Sequence, residues 1–126
     1  MANRTIQTDS APAAMGAYSQ GVQSGSTLYI SGQLGLDPKS GLLLPTFSAQ
    51  ADQTFTNIRF ILEEAEFNLN DVVKVTIFMT DLADFGVLNK LMGNLFASDY
   101  YPARSTVQVL GLPKGGLIEV DAIAIR

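Results

Sequence analysis

Residues 72–96 read VVKVTIFMTDLADFGVLNKLMGNLF, a strand pattern followed directly by a helix pattern. The first nine residues are β-branched or apolar at almost every position, which is typical of a central strand covered on both faces. The segment 82–100 then repeats apolar residues at intervals of three and four, and Asp84 is placed to cap a helix. That spacing predicts one helical stripe made of Phe85, Leu88, Leu91, Met92, Leu95 and Phe96.

The rest of the chain supplies one further helix and five further strands. Residues 47–67 have helical spacing, with Ser48 as the candidate N-cap. Strand patterns occupy 3–8, two runs within 21–32 joined by a turn at 24–26, 104–110 and 117–126. The order β-β-β-α-β-α-β-β predicts an α+β sandwich in a single domain, residues 1–126. Both helices are expected on one face of a mixed sheet, and the other face is expected to be open.

Composition favours an assembly and argues against a nucleic-acid partner. The chain is 47% hydrophobic and only 16% charged, and its mean hydropathy is +0.20. Such a chain has little polar surface to solvate a small monomer, so a buried subunit interface is expected. The net charge is −4 and no basic run is present, which is unfavourable for binding phosphate backbones.

The residue inventory narrows the chemistry. The chain has no cysteine and no histidine, which excludes disulfides, a thiolate nucleophile, a Ser-His pair and a His- or Cys-based metal site. Acid-base chemistry must therefore use carboxylates, Lys, Tyr, hydroxyls or bound water. The N-terminus lacks the apolar region of a secretory signal, and no apolar run is long enough to span a bilayer, so a cytoplasmic location without a membrane partner is expected.

The parity of the last two strands suggests where a site lies. Ile118 and Val120 share a parity that fits under the helices, whereas Glu119 belongs to a mixed opposite parity. Arg104 and Thr106 form the polar parity of the preceding strand. We therefore expect these polar residues on the open face of the sheet, around a wet cavity between subunits.

Arg104 and Glu119 are the leading candidates for chemistry. A guanidinium matches the fork of a carboxylate, and Tyr100 and Tyr101 precede this one, but a surface salt bridge is the simpler alternative for any arginine. Glu119 lies within an apolar strand, where it could orient or deprotonate a water. The simpler alternative is a carboxylate that is paired or exposed at an edge. Together, the two residues suggest a site for an anion and a water.

Two loop segments contribute weaker candidates. Tyr18 could cover a ligand and donate its phenol hydroxyl, or it could simply pack its ring in a loop. Ser31 and Gly32 mark a place where the backbone can approach a ligand closely, although a strand end that needs a glycine explains them equally well.

Four segments, in order along nearly the whole chain, resemble the RidA/YjgF family of imine deaminases. They are GAYSQGV (16–22), LYISGQLGLDPKSG (28–41), VVKVTIFMTDLADFGVLN (72–89) and YPARSTVQVLGLPKGGLIEVDAIAIR (101–126). The resemblance implies a chorismate-mutase-like α+β fold and a homotrimer with clefts between its subunits. It also implies hydrolysis of reactive 2-imino acids, such as 2-iminobutanoate and 2-iminopropanoate, to 2-keto acids and ammonia without a metal or cofactor.

The resemblance also implies roles for individual residues. Arg104 matches the arginine that binds the substrate carboxylate, and Glu119 matches the glutamate that orients the water. Tyr18, Ser31 with Gly32, and Asn89 match residues that line the cleft. Thr106 occupies the position of a common cysteine that acts through its backbone carbonyl. Met92 stands where the family has a tyrosine in the second helix.

Three functions remain open from the sequence. The first is a 2-imino acid deaminase in which Arg104, Glu119 and the Thr106 carbonyl hold substrate and water. The second is a non-catalytic trimeric module that binds small carboxylic acids or a partner protein. A ribonuclease is the third, and the acidic composition and the lack of histidine count against it.

Overall fold

A computed structural model describes residues 2–96 and 99–126 of the chain. Six strands and two helices follow in the predicted order. They are β1 (Arg4–Ile6), β2 (Gly21–Ser24), β3 (Thr27–Leu34), α1 (Phe47–Glu64), β4 (Val72–Met79), α2 (Phe85–Leu95), β5 (Ala103–Gln108) and β6 (Ile118–Ile125). The predicted α+β class, two helices with a mixed sheet, is confirmed.

The strands form one mixed sheet in the order β1-β2-β3-β6-β4-β5. Neighbouring strands are antiparallel except for β4 and β5, which run parallel because α2 connects them as a crossover. The strand β5 therefore forms one edge of the sheet, and β4 separates it from β6.

Both helices cover the same face of the sheet. The buried residues of α1 and α2 pack on the alternate residues of β4 and β6 that share a face, including Val75, Ile77, Val120 and Ala122. The predicted parity of β6 is thus confirmed. No helix among the described residues is long and apolar enough to cross a membrane.

The N-cap prediction for α1 was wrong, whereas Asp84 occupies the predicted N-cap position of α2. The N-cap of α1 is Thr46, whose side chain accepts a hydrogen bond from the backbone N–H of Ala49, and Ser48 lies inside the helix. Asp84 precedes α2 without a side-chain capping bond. Asp81 instead accepts from the N–H of Ala83 and caps the 3₁₀ turn before α2. The helix α1 thus starts one residue before the predicted cap, whereas α2 starts at Phe85, the first residue of its predicted stripe.

Within one chain, β4 is covered on only one face. Val75 and Ile77 are buried beneath the helices, whereas Thr76 and Phe78 on the opposite face are half-buried. The expectation of a strand covered on both faces therefore does not hold for the single chain. Its open-face residues Lys74, Thr76 and Phe78 are of mixed polarity.

The predicted face of Arg104 and Thr106 was also wrong. The parallel register aligns Arg104 with Val75 and Thr106 with Ile77, so their side chains point to the helix side of the sheet. Their polar character instead reflects their position on the edge strand, where α2 covers them only in part. Glu119 aligns with Phe78 and lies on the open face, as expected.

Candidate active site

Arg104 is held by three side chains of α2. Its Nη1 donates to Asn89 Oδ1 at 2.7 Å and contacts Met92 Sδ at 3.5 Å. Its Cζ lies over the Phe85 ring, 5.1 Å from the centroid. Residues 85, 89 and 92 are spaced by four and three, which places all three on one side of the helix, facing the edge strand. The guanidinium is therefore fixed in orientation by α2.

None of these three contacts neutralises the charge of Arg104. An amide oxygen, a thioether and an aromatic face are all formally uncharged groups. In the part of the chain that the structure describes, the only salt bridge joins Arg59 to Glu63. A half-buried guanidinium without a carboxylate partner leaves its charge available for an anionic ligand.

A cleft of about 360 Å³ opens beside this guanidinium. Its walls are Asn89, Met92, Gly93, Tyr101, Pro102 and Arg104. The segment that leads into β5 is anchored by Tyr100, whose hydroxyl donates to the backbone carbonyl of Val72. The cleft thus lies between the start of the edge strand and the side of α2 that carries Asn89 and Met92, and Arg104 forms part of its wall.

Thr106 presents its backbone at the open edge of the sheet. The N–H of Val109 donates to the Met79 carbonyl, so the odd-numbered residues of β5 bond to β4. Strand alternation then directs the carbonyl of Thr106 away from β4, towards the free edge. The Thr106 hydroxyl is buried and has no hydrogen-bond partner among the described residues. A free carbonyl at this position can accept a hydrogen bond from a water or a substrate N–H.

On the open face, the carboxyl group of Glu119 packs against Gly32. A Cβ built on Gly32 would lie 2.8 Å from Glu119 Cδ and 2.9 Å from its Oε2. A side chain at this position fits only if the Glu119 carboxyl group moves, so the glycine permits the close approach of the carboxylate. The backbone here follows a bulge, because the pairing of β3 with β6 shifts between Ile30 and Gln33.

The environment of Glu119 makes its carboxylate more basic. Burial penalises the charged form and raises the pKa of Glu119, and the nearby carboxylate of Asp121 raises it further. A carboxylate with a raised pKa is a better acceptor for a proton from water.

Ser31 and Tyr18 each make a local hydrogen bond. The Ser31 hydroxyl donates to the Ser19 carbonyl at 2.6 Å, and the Ser31 N–H donates to the Gln20 carbonyl. The Tyr18 hydroxyl accepts from the Met15 N–H at 3.2 Å, while 51% of the residue is exposed. These bonds fix the loop next to Gly32 and leave the Tyr18 ring free on the surface.

The candidate residues therefore form two separate groups in one chain. Arg104, Thr106 and Asn89 lie at the β5 edge on the helix side, whereas Glu119 and Gly32 lie on the open face. The strand β4 stands between β5 and β6. A single chain does not bring the guanidinium and the Glu119 carboxylate together.

Comparisons with known proteins match nearly the whole chain. The family model described as endoribonuclease L-PSP matches residues 8–126. The crystal structure of RidA from a Psychrobacter species is 53% identical with a TM-score of 0.95, over 98% of this chain and 99% of that one. The chain belongs to the RidA/YjgF family. The resemblance seen in the sequence is thus confirmed.

Two further members of the RidA/YjgF family bear on chemistry. A Salmonella typhimurium protein named 2-iminobutanoate/2-iminopropanoate deaminase is 44% identical over 98% of both chains. The structure of E. coli TdcF with bound serine has a TM-score of 0.94 and is 38% identical, and the match covers 98% of each chain.

Sequence reasoning missed two contacts of Arg104. Phe85 and Met92 were assigned to the apolar stripe of α2 and given no part in the site, although both contact Arg104. Their spacing of four and three around Asn89 was visible, but only the parallel pairing of β5 with β4 reveals that this side of α2 faces the arginine. Because that pairing is non-local, the sequence carried no direct signal of it.

Proposed function

We propose that the chain hydrolyses 2-imino acids such as 2-iminobutanoate and 2-iminopropanoate to 2-keto acids and ammonia. It does so without a metal or cofactor, as a cytoplasmic homotrimer that has no nucleic-acid or membrane partner. The observation that carries this proposal is the guanidinium of Arg104, which is held in place by neutral groups beside a cleft. Membership of a family that includes a 2-iminobutanoate/2-iminopropanoate deaminase supports it.

In the proposed reaction, Arg104 binds the substrate carboxylate through parallel hydrogen bonds. A water bound to Glu119 and to the Thr106 carbonyl adds to the carbon of the protonated C=N group. Glu119 accepts a proton from that water and returns it to the nitrogen. The C–N bond then breaks as the C=O bond forms, Glu119 accepts the proton of the hydroxyl group, and the nitrogen leaves as ammonia, which takes up that proton.

This reaction suits the residues available. A protonated imine is already electrophilic, so positioning of the water and one carboxylate base suffices without a strong nucleophile. A general base contributes about 10²- to 10⁴-fold, and orientation supplies several kcal/mol more of the barrier. Asn89, Tyr18, Ser31 and Gly32 would line the cleft and shape the space around the substrate.

A complete site requires two copies of the chain, because Arg104 and Glu119 lie on opposite faces of one sheet. The edge of β5 from one copy would meet the open face of another. That open face exposes large apolar side chains that a second copy would cover: Tyr29 at 51%, Val107 at 42% and Ile125 at 48%. A ring of three copies satisfies every such contact with a single type of interface.

The direct test is to generate 2-iminobutanoate in situ with a threonine dehydratase and to measure the acceleration of keto-acid and ammonia release. Arg104→Ala should abolish the acceleration, and Arg59→Ala, which removes an exposed arginine that pairs with Glu63, should keep it. Wild-type activity in Arg104→Ala would refute the mechanism. Calorimetric binding of a keto acid without any catalysis would favour the non-catalytic binding module.

Subunit mixing tests the shared site. Arg104→Ala and Glu119→Gln should each be inactive alone. When the two variants are unfolded and refolded together in equal amounts, about a quarter of the sites should combine an intact Arg104 with an intact Glu119 from a neighbouring copy. Recovery of about that fraction of activity supports a shared site, and no recovery would show that each site belongs to one chain.

A further inference from the structure

The contacts of Arg104 distinguish one edge of its guanidinium from the other. Asn89 Oδ1 and Met92 Sδ both lie against Nη1, which has two hydrogens to donate. The N–H groups of Nε and Nη2 have no acceptor in residues 2–96 and 99–126. The free donors therefore lie along the Nε–Nη2 edge.

We propose that Phe85 and Met92 are positioning residues that, together with Asn89, present the Nε–Nη2 edge of Arg104 to the substrate carboxylate without neutralising it. The inference rests on the proposed function and identifies how the arginine is prepared for binding. Phe85 supplies an apolar platform under the guanidinium plane, and Met92 supplies a weak acceptor that occupies one Nη1 hydrogen.

The functionally important property of the groups that hold Arg104 is that they are uncharged. Arg104 could be oriented equally well by a carboxylate on α2, and ion pairs of that kind commonly fix buried arginines. A carboxylate in that position would, however, compete with the carboxylate of the substrate for the same cation. The thioether of Met92, which is only 5% exposed, orients the guanidinium from within the protein. Because the thioether is uncharged, the full charge of Arg104 stays available for the ligand.

The decisive experiment compares Met92→Glu with Met92→Gln, which have nearly the same shape and differ by one charge. Met92→Glu should raise the KM for 2-iminobutanoate about tenfold or more above that of Met92→Gln, because an ion pair with Arg104 must first be broken. Its kcat should change much less than its KM. The matched charge control is Asn94→Asp, which adds a carboxylate to the same helix in the groove towards α1 and should leave KM unchanged.

Phe85 provides a second test that does not place a charge inside the protein. Phe85→Leu keeps an apolar side chain but removes the aromatic face, and it should raise KM about two- to fivefold with kcat nearly constant. Phe85→Tyr restores an aromatic face and should restore KM. Because 36% of Phe85 is exposed, these variants should fold even if a charge at position 92 is not tolerated.

The outcomes separate this inference from the proposed function. Binding of 2-oxobutanoate is measured by calorimetry for every variant and for Arg104→Ala. If Arg104→Ala binds the keto acid as tightly as wild type, the proposed function fails. If Arg104→Ala loses binding but Met92→Glu and Phe85→Leu match Met92→Gln and wild type, only the positioning inference is overturned. A crystal structure of the complex with the ligand carboxylate on Nη1 in place of Asn89 or Met92 would overturn it as well.

Discussion

Replacing Gly32 with alanine should separate activity from stability, because the new methyl group would meet only the end of one side chain. The added Cβ would lie 2.8 Å from Glu119 Cδ, 2.9 Å from Oε2 and 3.1 Å from Cγ. Carbon atoms in contact normally lie about 3.5–4.0 Å apart, so the carboxyl group must move by roughly 1 Å. The backbone of Gly32 is not in the left-handed region, so alanine introduces no conformational strain of its own.

The two consequences of that displacement differ greatly in size. Rotating the Glu119 side chain to a less favourable angle costs about 0.5–1.5 kcal/mol of stability. A catalytic group misplaced by about 1 Å can lower the rate about 10²-fold. We therefore expect Gly32→Ala to fold normally and to lose about ten- to a hundredfold in kcat for imine hydrolysis.

Two other glycines serve as controls in the same assays, thermal unfolding and keto-acid release. A Cβ on Gly35 would lie 2.4 Å from the Cα of Gln50 and 2.5 Å from its carbonyl oxygen, both backbone atoms. Gly35→Ala should therefore destabilise the fold strongly. A Cβ on Gly86 of α2 meets no atom within 4 Å, so Gly86→Ala should keep full activity with equal or greater stability. Wild-type kcat in a folded Gly32→Ala variant would refute the role given to the Glu119 position.

Three further predictions concern pH, the core and a helix cap. Because the pKa of Glu119 is raised in the folded state, its contribution to stability is present at low pH and lost as pH rises through the folded-state pKa. The free energy of urea unfolding of Glu119→Gln should therefore increase relative to that of wild type between pH 4 and pH 7. An unchanged difference between the two proteins would contradict the raised pKa. Asn57 is fully buried and donates to two backbone carbonyls, so Asn57→Ala should cost about 2–4 kcal/mol. Thr46→Ala should lower the free energy of unfolding by about 1 kcal/mol, and Ser48→Ala should leave it nearly unchanged. A larger loss of stability in Ser48→Ala than in Thr46→Ala would identify Ser48 as the cap.

Local patterns in the sequence were sufficient for the elements and their order. The helix α1 buries residues such as Phe55, Ile58 and Leu62 at the predicted spacing, because 3.6-residue periodicity is a property of one segment alone. The alternation of Ile118 and Val120 with Glu119 likewise gave the correct faces of β6. These features depend only on neighbours along the chain.

The placement of Arg104 depended on a partner far away in sequence. Alternation showed that Arg104 and Thr106 share a face, but which face is decided by their pairing with Val75 and Ile77 of β4. The bulge that brings Gly32 against Glu119 is equally non-local, since it arises from a shift in pairing between β3 and β6. The sequence therefore identified the candidate residues without showing that one chain keeps them apart.

The opposite-face arrangement of Arg104 and Glu119 has a genetic consequence in the proposed trimer. Each polypeptide contributes Arg104 to one shared site and Glu119 to another. A chain that lacks one of these residues therefore inactivates one site, and a chain that lacks both inactivates two. Co-expressed with an equal amount of normal chain, a single mutant allele should thus leave about half of the sites intact, and a double mutant allele only about a quarter.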